Sequence, residues 1–504
     1  MQNATIPDIP SVTFRELIDG ATHAYTGKPA VLYNDGCNAA VTKTYNDFHR
    51  DSYYAAYQLV SRFGNGVHIG ICAKKSYVFF CYLNGILLSS NILIPFQQDT
   101  SRDRMLTLIR QADVTVMIAD RESADRLGSV EGVQLFVLPE NVPEHSPVDI
   151  GEDDPDRVAL IMFTSGTTSA KMKGVMLTHR AIITNVHCRG INDKAEQMTV
   201  STLPMHHIFG FACDYLDNIN DGVAMAINDN METLGGNLLR YQPHFLRLVP
   251  MVAEGLLRKV KMVRRFHPEF APRQAAEAVF GSRIGLIITA GAKLPAYIGA
   301  EYAELGIRIQ QGYGMTETGP RIAVPDDEID PNAAGNIIDV CQVRFIDGEL
   351  QIKSPCVMLG YYKDEEETAK VFTEDGWFRT GDTGYIADKN RLYITGRLKN
   401  LIIRSNGENV SPEEIERQLI NDPLILEVMA YEESDRIVAE FFPDAHYAAE
   451  NGITDCKAYI KKLVAKANEV LSCEKAVQVV KLRSDPFPRT SSGKLIRKRT
   501  VYNS

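Results

Sequence analysis

Short runs of apolar and β-branched residues alternate with helix-like segments through more than half of the chain. The runs that predict strands are Val67–Cys72, Ile92–Pro95, Val114–Ile118, Val133–Val137, Val158–Thr164 and Ile284–Ala290. Segments between them, such as Arg102–Gln111 and Pro295–Leu305, have helical character. Strands that are apolar along their whole length are typical of parallel sheets with both faces covered. The alternation therefore predicts an α/β fold with a mostly parallel sheet.

From about Gly348 the pattern changes to short strands separated by turns. The predicted strands there are Leu350–Lys353, Trp377–Arg379, Gly384–Ala387 and Arg391–Thr395, which indicate a small antiparallel β region. Beyond Arg397, a helix at Pro412–Leu419 and further strands and helices predict an α+β domain of about 100 residues. We therefore predict a large N-terminal domain of parallel-rich αβ layers plus the β region (residues 1–397), and a mobile C-terminal domain (residues 398–504).

The composition excludes several classes of protein. Of the 504 residues, 45% are apolar and 23% are charged, which is ordinary for a globular protein and unlike a disordered, collagen-like or coiled-coil chain. The formal charge of -10 argues against general nucleic-acid binding, which needs a basic face. The nine cysteines include no C-x-x-C pair, so we predict neither a zinc site nor a disulfide framework. This cysteine usage fits a reducing cytoplasm.

One uncharged segment raises the question of a membrane span. Residues 77–96 are mostly apolar, but Asn84, Ser89 and Asn91 interrupt them, and polar groups are costly in hydrocarbon. We predict a buried helix, Tyr77–Leu88, followed by a short strand. The N-terminus lacks a basic segment before an apolar core, so we also expect no signal peptide. The expected location is the cytoplasm, with at most peripheral membrane contact.

A loop rich in glycine, hydroxyl and lysine side chains follows the predicted strand at 158–164. Residues 163–175 read FTSGTTSAKMKGV. Backbone N–H groups beside glycine, hydroxyls and ammonium groups are the donors that a polyphosphate requires. The loop lacks the G-x-x-x-x-G-K-[ST] pattern of a P-loop NTPase. Taken alone, the segment favours a polar surface turn, because the same residue types dominate turns.

A second segment, residues 311–319 (QGYGMTETG), has the residue types of a nucleotide site. The ring of Tyr313 could stack on a base, and Thr316 could donate to a phosphate. Glu317 could hold magnesium, a hard ion that prefers oxygen ligands.

Three more segments follow in the second half of the chain. Residues 376–382 (GWFRTGD) contain the only Trp and end at Asp382, an acid suited to ribose hydroxyls. Residues 396–400 (GRLKN) lie at the predicted domain boundary, and residues 488–494 (PRTSSGK) form a turn that ends at Lys494. Each segment alone has an ordinary explanation as a turn, a hydrophobic contact or a solvated tail.

Together and in this order, the five segments resemble the motifs of the adenylate-forming superfamily. This superfamily comprises acyl-CoA synthetases, aryl-CoA ligases, luciferases and peptide-synthetase adenylation domains. The resemblance extends from about Phe14 to Lys498 and implies an enzyme that uses ATP and magnesium to activate a carboxylic acid as acyl-AMP. Transfer to a thiol, of CoA or of a carrier-protein phosphopantetheine, would follow.

The resemblance implies the following nucleotide contacts. Tyr313 would stack on adenine, Thr316 would contact the α-phosphate, and Asp382 and Arg397 would bind the ribose hydroxyls. Glu317 would hold magnesium. The residues implied around the phosphates and the rest of the nucleotide are Thr164, Ser165, Gly166, Thr167 (also a metal ligand), Thr168, Lys173, Gly291, Ala292, Gly312 and Gly314.

Three further residues match family positions with a role in catalysis or movement. Lys494 matches the lysine that contacts the carboxylate and the α-phosphate, where a cation stabilises the negative charge of the transition state. Lys399 matches the hinge about which the C-terminal domain turns. In the segment Pro204-Met-His-His-Ile-Phe-Gly210, His207 matches the histidine near the acyl carboxylate and the thiol path. Without the motif, His207 would be an ordinary core or turn histidine.

Two segments depart from the family pattern. The phosphate loop has Ser169 in place of a glycine and one extra residue before Gly174, so Lys171 or Lys173 could face the phosphates. We favour Lys173 because it directly precedes Gly174. The usual G-G-A-P segment reads AGAKL here, with Lys293 in the proline's place.

The acid is predicted from the residues that follow His207. Amino-acid-activating members have an Asp at the position of Ile208, and a buried ammonium without a carboxylate would be costly. The apolar segment 208–213 suits an aliphatic or aryl tail. His206-His207 together with residues 405–416 is similar to bacterial long-chain fatty-acid ligases, so the predicted substrate is a fatty acid.

The acceptor and the activity itself have alternatives. No carrier domain follows Lys494, which favours CoA or a separate acyl carrier protein. The basic run Arg258–Arg265 could contact CoA phosphates, an acidic carrier or an anionic membrane, or could be a solvated helix face. A second hypothesis is a nucleotide-binding homologue without ligase activity, because kinship does not guarantee function.

Overall fold

In the computed structural model of the chain, the described residues are 11–34, 39–164, 172–188, 197–325, 330, 332–404, 409–489 and 495–497. The α-helices are α1 (Phe14–Tyr25), α2 (Tyr45–Phe63), α3 (Tyr77–Leu88), α4 (Arg102–Gln111), α5 (Arg121–Leu127), α6 (His179–His187), α7 (Asp217–Asp221), α8 (Leu234–Tyr241), α9 (Pro250–Phe266), α10 (Pro272–Phe280), α11 (Ala296–Glu304), α12 (Glu365–Val371), α13 (Pro412–Leu419), α14 (Ala445–Glu450) and α15 (Cys456–Asn468). A π-helix spans Phe209–Leu216, and 3₁₀ turns span Thr316–Thr318, Asp388–Asn390, Leu398–Asn400 and Cys473–Lys475.

The strands, in chain order, are β1 (Pro29–Asn34), β2 (Ala40–Thr44), β3 (His68–Cys72), β4 (Ile92–Pro95), β5 (Val116–Ala119), β6 (Gln134–Val137), β7 (Val158–Thr164), β8 (Lys173–Thr178), β9 (Met198–Ser201), β10 (Ala224–Ile227), β11 (Phe245–Leu248), β12 (Leu286–Thr289), β13 (Arg308–Gln311), β14 (Tyr313–Gly314), β15 (Arg321–Val324), β16 (Gly335–Ile337), β17 (Gln342–Ile346), β18 (Glu349–Lys353), β19 (Gly360–Tyr361), β20 (Phe378–Ala387), β21 (Arg391–Arg397), β22 (Ile402–Ile403), β23 (Asn409–Val410), β24 (Ile425–Glu433), β25 (Arg436–Pro443) and β26 (Val479–Leu482).

Parallel strands dominate the N-terminal half, which confirms the predicted α/β class. One sheet has the order β19-β8-β7-β4-β3-β5-β6, and its strands β7, β4, β3, β5 and β6 are parallel. β5 is buried at every position, as expected for a parallel strand covered on both faces. A second sheet, β11-β12-β13, is parallel throughout, and a third has the order β2-β1-β10-β9.

The predicted β region is an antiparallel sheet with the order β14-β15-β16-β21-β20-β18-β17. The two short strands predicted at Trp377–Arg379 and Gly384–Ala387 are one strand, β20, so that prediction was wrong. An irregularity between Thr383 and Gly384 lets the strand continue along β21, and a Cβ at Gly384 would lie 2.2 Å from the carbonyl oxygen of Tyr393. Turn-like residues at a bulge were therefore mistaken for a loop.

The uncharged segment questioned above folds as α3 and β4, as predicted. All twelve residues of α3 are buried, and Ser76 caps its first turn through a hydrogen bond from the backbone N–H of Phe79. Asn84 is satisfied inside the protein because it donates to the hydroxyl of Ser52 and accepts from Tyr215. In the part of the chain that the structure describes, no helix is long and apolar enough to cross a membrane.

The C-terminal residues have a core of their own, built from α13, α15 and the sheet β24-β25-β26. It includes Ile415, Ile437, Phe441 and Ile460, all fully buried. This separate core supports a division near the end of β21. The boundary between residues 397 and 398 stays a prediction.

Close packing of α3 on α2 gives the first testable prediction. A Cβ at Gly85 would lie 2.8 Å from the backbone nitrogen of Ala56, so Gly85→Ala should lower the free energy of unfolding by about 1–3 kcal/mol. Gly20→Ala in α1 is the control, because nothing lies within 4 Å and alanine favours helix by up to about 1 kcal/mol. Denaturant titration measures both variants, and equal stabilities would contradict the packing described.

Candidate functional site

A cavity of about 600 Å³ lies beside the ends of β7, β11 and β12, the β14–β15 turn and the strands β20 and β21. Although the whole chain has a formal charge of -10, the cavity wall is basic. Among the lining residues that the structure describes, eight are Lys or Arg and three are Asp or Glu. A concave site with such a wall attracts anionic ligands.

Two predicted nucleotide residues, Tyr313 and Arg397, line the cavity, and both contact a third, Asp382. Asp382 lies opposite Arg397 in the β20–β21 ladder, and its carboxylate accepts from the guanidinium Nε at 2.8 Å. The hydroxyl of Tyr313 donates to the other carboxylate oxygen. Asp382 is 2% exposed, so this buried charge is both paired and hydrogen-bonded. Burial and the charge of Asp382 raise the pKa of Tyr313, which keeps the hydroxyl protonated.

A tight turn places Thr316 and Glu317 on the cavity wall. The backbone N–H of Met315 donates to the carbonyl of Pro320 at 2.9 Å and closes the turn. A Cβ at Gly314 would lie 1.7 Å from the same carbonyl oxygen, so only glycine fits there. Glu317 accepts a hydrogen bond from the Tyr361 hydroxyl at 3.1 Å.

Glu317, the magnesium ligand that the sequence predicts, lines the cavity. Magnesium is usually bound through one or two carboxylates together with substrate phosphates, so Glu317 beside bound phosphates would fit that pattern. The other predicted metal ligand, Thr167, lies outside the described residues. Within the described ranges there is no group of three or more His, Cys, Asp or Glu side chains able to hold a metal.

Thr164 and Lys173 bracket the predicted phosphate loop, and both line the cavity. They lie opposite each other at the ends of β7 and β8. The ammonium of Lys173 donates to Glu367 of α12 at 2.6 Å and lies 4.6 Å from the ring centre of Tyr361. Hydrogen bonds from Lys173 and Lys370 lower the pKa of Glu367 to about 2. The loop residues Ser165, Gly166, Thr167, Thr168, Ser169 and Lys171 lie outside the described residues.

His206 and His207 both line the cavity, and their ring centres are 4.3 Å apart. Burial, with a smaller contribution from His207, lowers the pKa of His206 to about 3, so this ring is neutral at pH 7. The π-helix that follows packs closely on the backbone just before the two histidines: a Cβ at Gly210 would lie 2.2 Å from the carbonyl oxygen of Pro204. This close contact leaves no room for a side chain at position 210, which explains the glycine in the sequence.

The remaining predicted residues differ in their placement. Gly291, Gly312 and Lys399 line the cavity, and the N–H of Gly312 donates to the carbonyl of Thr289. Ala292 is exposed and does not line it. Lys494 lies outside the described residues.

The cavity wall also contains a buried ionic triad that was not predicted from the sequence. Arg247 of β11 and Arg321 of β15 both contact Asp217 of α7, with Arg247 Nη2 at 3.4 Å from the carboxylate. The side chains of Arg247 and Asp217 are 3% and 2% exposed. One signal was present in the sequence: Arg247 is the only charged residue of an otherwise apolar strand. The partners Tyr361 and Glu367 had no such signal.

Comparison with known proteins identifies the family. The pattern of the AMP-binding enzyme family matches residues 19–362, and that of the AMP-binding enzyme C-terminal domain matches residues 399–503. The chain therefore belongs to the AMP-binding enzyme family.

Curated relatives and solved structures agree with this. A 4-coumarate–CoA ligase 2 of Nicotiana tabacum is 29% identical over 73% of this chain and 69% of the relative. The luciferin 4-monooxygenase of Photuris pensylvanica is 30% identical over 76% and 71%. The fold matches the crystal structure of the anthranilate CoA ligase AuaEII in complex with anthranoyl-AMP, with a TM-score of 0.81, 16% identity and coverage of 98% and 97%. These relatives do not single out long-chain fatty-acid ligases.

The contact between Lys173 and Glu367 gives a prediction for nucleotide binding. If Lys173 faces the phosphates, Glu367 competes with them, and Glu367→Gln should tighten ATP binding by roughly 2–5-fold, the value of a partly exposed ion pair. Glu366→Gln is the matched control, because Glu366 is 83% exposed on the same helix and pairs with Lys370. Calorimetric titration with ATP measures both. Equal affinities in the two variants would show that Lys173 is not the phosphate lysine.

Proposed function

We propose that the protein is an AMP-forming acid–thiol ligase that activates a carboxylic acid with ATP and transfers the acyl group to CoA. The observation that carries the proposal is the single basic cavity onto which Tyr313, Glu317, Arg397 and His207 converge. The wall of this cavity has both charged groups and apolar side chains, which supports a common site for nucleotide, acid and thiol.

The first step joins the acid to the nucleotide. A carboxylate oxygen of the acid attacks the α-phosphorus of ATP, and pyrophosphate leaves. Arg397 and Asp382 would orient the ribose, Tyr313 the base, and Thr316 the α-phosphate. Lys173 and other basic residues of the cavity wall would bind the phosphates. Magnesium, held by Glu317, would neutralise phosphate charge. Preorganised cations stabilise the transition state because they need no reorganisation when the charge develops.

The second step transfers the acyl group. The thiol loses its proton to water, its sulfur attacks the carbonyl carbon of acyl-AMP, a carbon–sulfur bond forms, and AMP leaves with the electrons of the broken carbon–oxygen bond. His207 lines the cavity and would lie near the acyl carboxylate and the thiol path. The neutral His206 beside it adds no charge that would oppose a cation there. A rotation of the C-terminal domain about Lys399, just after the predicted domain boundary at residue 397, would change the site from its arrangement for the first step to that for the second.

The acid and the acceptor are narrower proposals. Ile208, Phe209, Cys213 and Ile288 form an apolar part of the wall, which supports a hydrocarbon region in the acid, as in the fatty acid that the sequence predicts. CoA is proposed as the acceptor, and a separate acyl carrier protein is the alternative. The basic face of α9 gives the carrier little support, because Arg258 and Lys261 pair with Glu254 and Glu301. The proposed location is the cytoplasm.

The experiment is pyrophosphate release from ATP and magnesium, with a panel of fatty, aryl and amino acids, each with and without CoA. We expect one class of acid to stimulate release, and a CoA thioester to form. Acyl-AMP without CoA consumption would indicate a carrier-protein acceptor. ATP binding without release for any acid would favour the homologue without ligase activity.

Lys494 gives a sharper mechanistic prediction. Lys494→Ala should slow acid-dependent pyrophosphate release by roughly 100–1,000-fold, the usual cost of removing one donor from a developing negative charge. Lys461→Ala, an exposed lysine on α15, is the control and should retain the wild-type rate. Unchanged release in Lys494→Ala would remove this lysine from the adenylation step.

A further inference from the structure

The triad of Arg247, Asp217 and Arg321 has more cationic than anionic groups at the cavity. Both guanidinium groups contact the same carboxylate oxygen, Asp217 Oδ2. All three residues line the cavity, so this part of its wall carries one net positive charge. Two buried cations beside one carboxylate are stable only if further acceptors surround them.

Other acceptors hold the two guanidinium groups in fixed positions. Arg247 Nη1 donates to Asn218 Oδ1 at 2.8 Å, and Arg321 Nη1 donates to the carbonyl of Asn185 at 3.0 Å. These partners are neutral and come from α7 and α6. They orient the cations without adding negative charge, as expected for a preorganised anion site.

The neighbouring carboxylate, Asp214, adds negative charge near the triad, and Lys75 offsets it. Asp214 is fully buried one turn before Asp217, and burial raises its pKa to about 6 in spite of Lys75 and Arg247. Lys75 donates to the backbone carbonyl of Ser201 at 2.7 Å, so a third cation lies in the same region. Asp214 and Lys75, taken together, therefore leave the net charge of the triad unchanged.

The π-helix Phe209–Leu216 separates the triad carboxylate from the His206–His207 pair along the chain. The π-helix begins two residues after His207, and Asp217 directly follows it. The cavity wall also includes the apolar side chains of Cys213, Ile288 and Val324.

We propose that this triad binds an anionic group at the far end of the acyl substrate, so that the preferred acid is a dicarboxylic acid with a hydrocarbon middle. The inference rests on the proposed ligase function and names its substrate class. A hydrocarbon tail without a polar end would leave the two guanidinium groups facing methyl groups. A site built for polar contacts rejects a substrate that lacks the matching polar group.

The first test uses the unaltered protein. A series of straight-chain dicarboxylic acids of increasing length is compared with monocarboxylic acids of the same carbon number, by acid-dependent pyrophosphate release. We expect kcat/KM to favour the diacid by at least about tenfold at one optimal length. If monocarboxylic acids are activated equally well or better at every length, the inference is wrong and the ligase function stands. If neither kind of acid stimulates release, the proposed function itself fails.

The second test assigns the preference to the triad. Arg247→Gln should reduce the ratio of diacid to monoacid kcat/KM by about tenfold, and Arg247→Lys should recover part of it because the charge is retained. Arg258→Gln removes a cation from the surface of α9 and should keep the wild-type ratio. A purely structural role for Arg247 would lower both activities together and leave their ratio unchanged. That result, or a change in the KM for ATP in place of the ratio, would overturn the assignment.

Discussion

The buried carboxylate of Asp382 determines how three parts of the molecule are arranged around the cavity. A charge that is 2% exposed must be paired, and its partners are Arg397 across the β20–β21 ladder and the hydroxyl of Tyr313 on β14. Loss of Arg397 would leave an uncompensated charge in the core, and loss of the Tyr313 hydroxyl would remove one of its hydrogen bonds. The pair therefore holds the register of two strands, the position of the β14–β15 turn and the start of the C-terminal residues at the same time.

Close backbone contacts fix the turns that present the other groups. At Gly314 and at Gly210, any side chain would collide with a carbonyl oxygen, that of Pro320 or of Pro204. The first contact places Thr316 and Glu317 at the wall, and the second brings the π-helix against the His206–His207 pair. The positions of these side chains therefore follow from close packing of the backbone. A loop without such contacts would not hold them in place.

The parts of the fold that could be predicted from the sequence are those set by local pattern. Ile92–Pro95 and Val158–Thr164 were predicted at their observed bounds because parallel strands buried on both faces are apolar throughout. β20 was divided in two because a bulge contains the glycines and polar residues of a turn. The α/β class follows from the first pattern and does not depend on the second.

The candidate site could be predicted only where a motif names the residues. Tyr313 and Asp382 lie far apart in the sequence, but the family resemblance assigns both to one nucleotide site, and a hydrogen bond joins them in the structure. The pairing of Arg247 and Arg321 with Asp217 has no motif, and it depends on the approach of β11, β15 and α7 in three dimensions. Long-range ion pairs of this kind follow from tertiary packing, which a single sequence does not contain.

The exposure of each ion pair decides which cation can change partner when an anionic ligand arrives. Glu367, whose side chain is 33% exposed, can return to water after releasing Lys173, so that exchange costs little. Asp382 has no such route, because its carboxylate is almost fully enclosed and would remain a buried charge. Arg397 is therefore expected to keep Asp382 while it contacts a nucleotide, whereas Lys173 moves. By the same reasoning, Asp217 is too enclosed to release Arg247 and Arg321, so the triad stays intact. An anionic substrate group would bind beside the triad and would not replace Asp217.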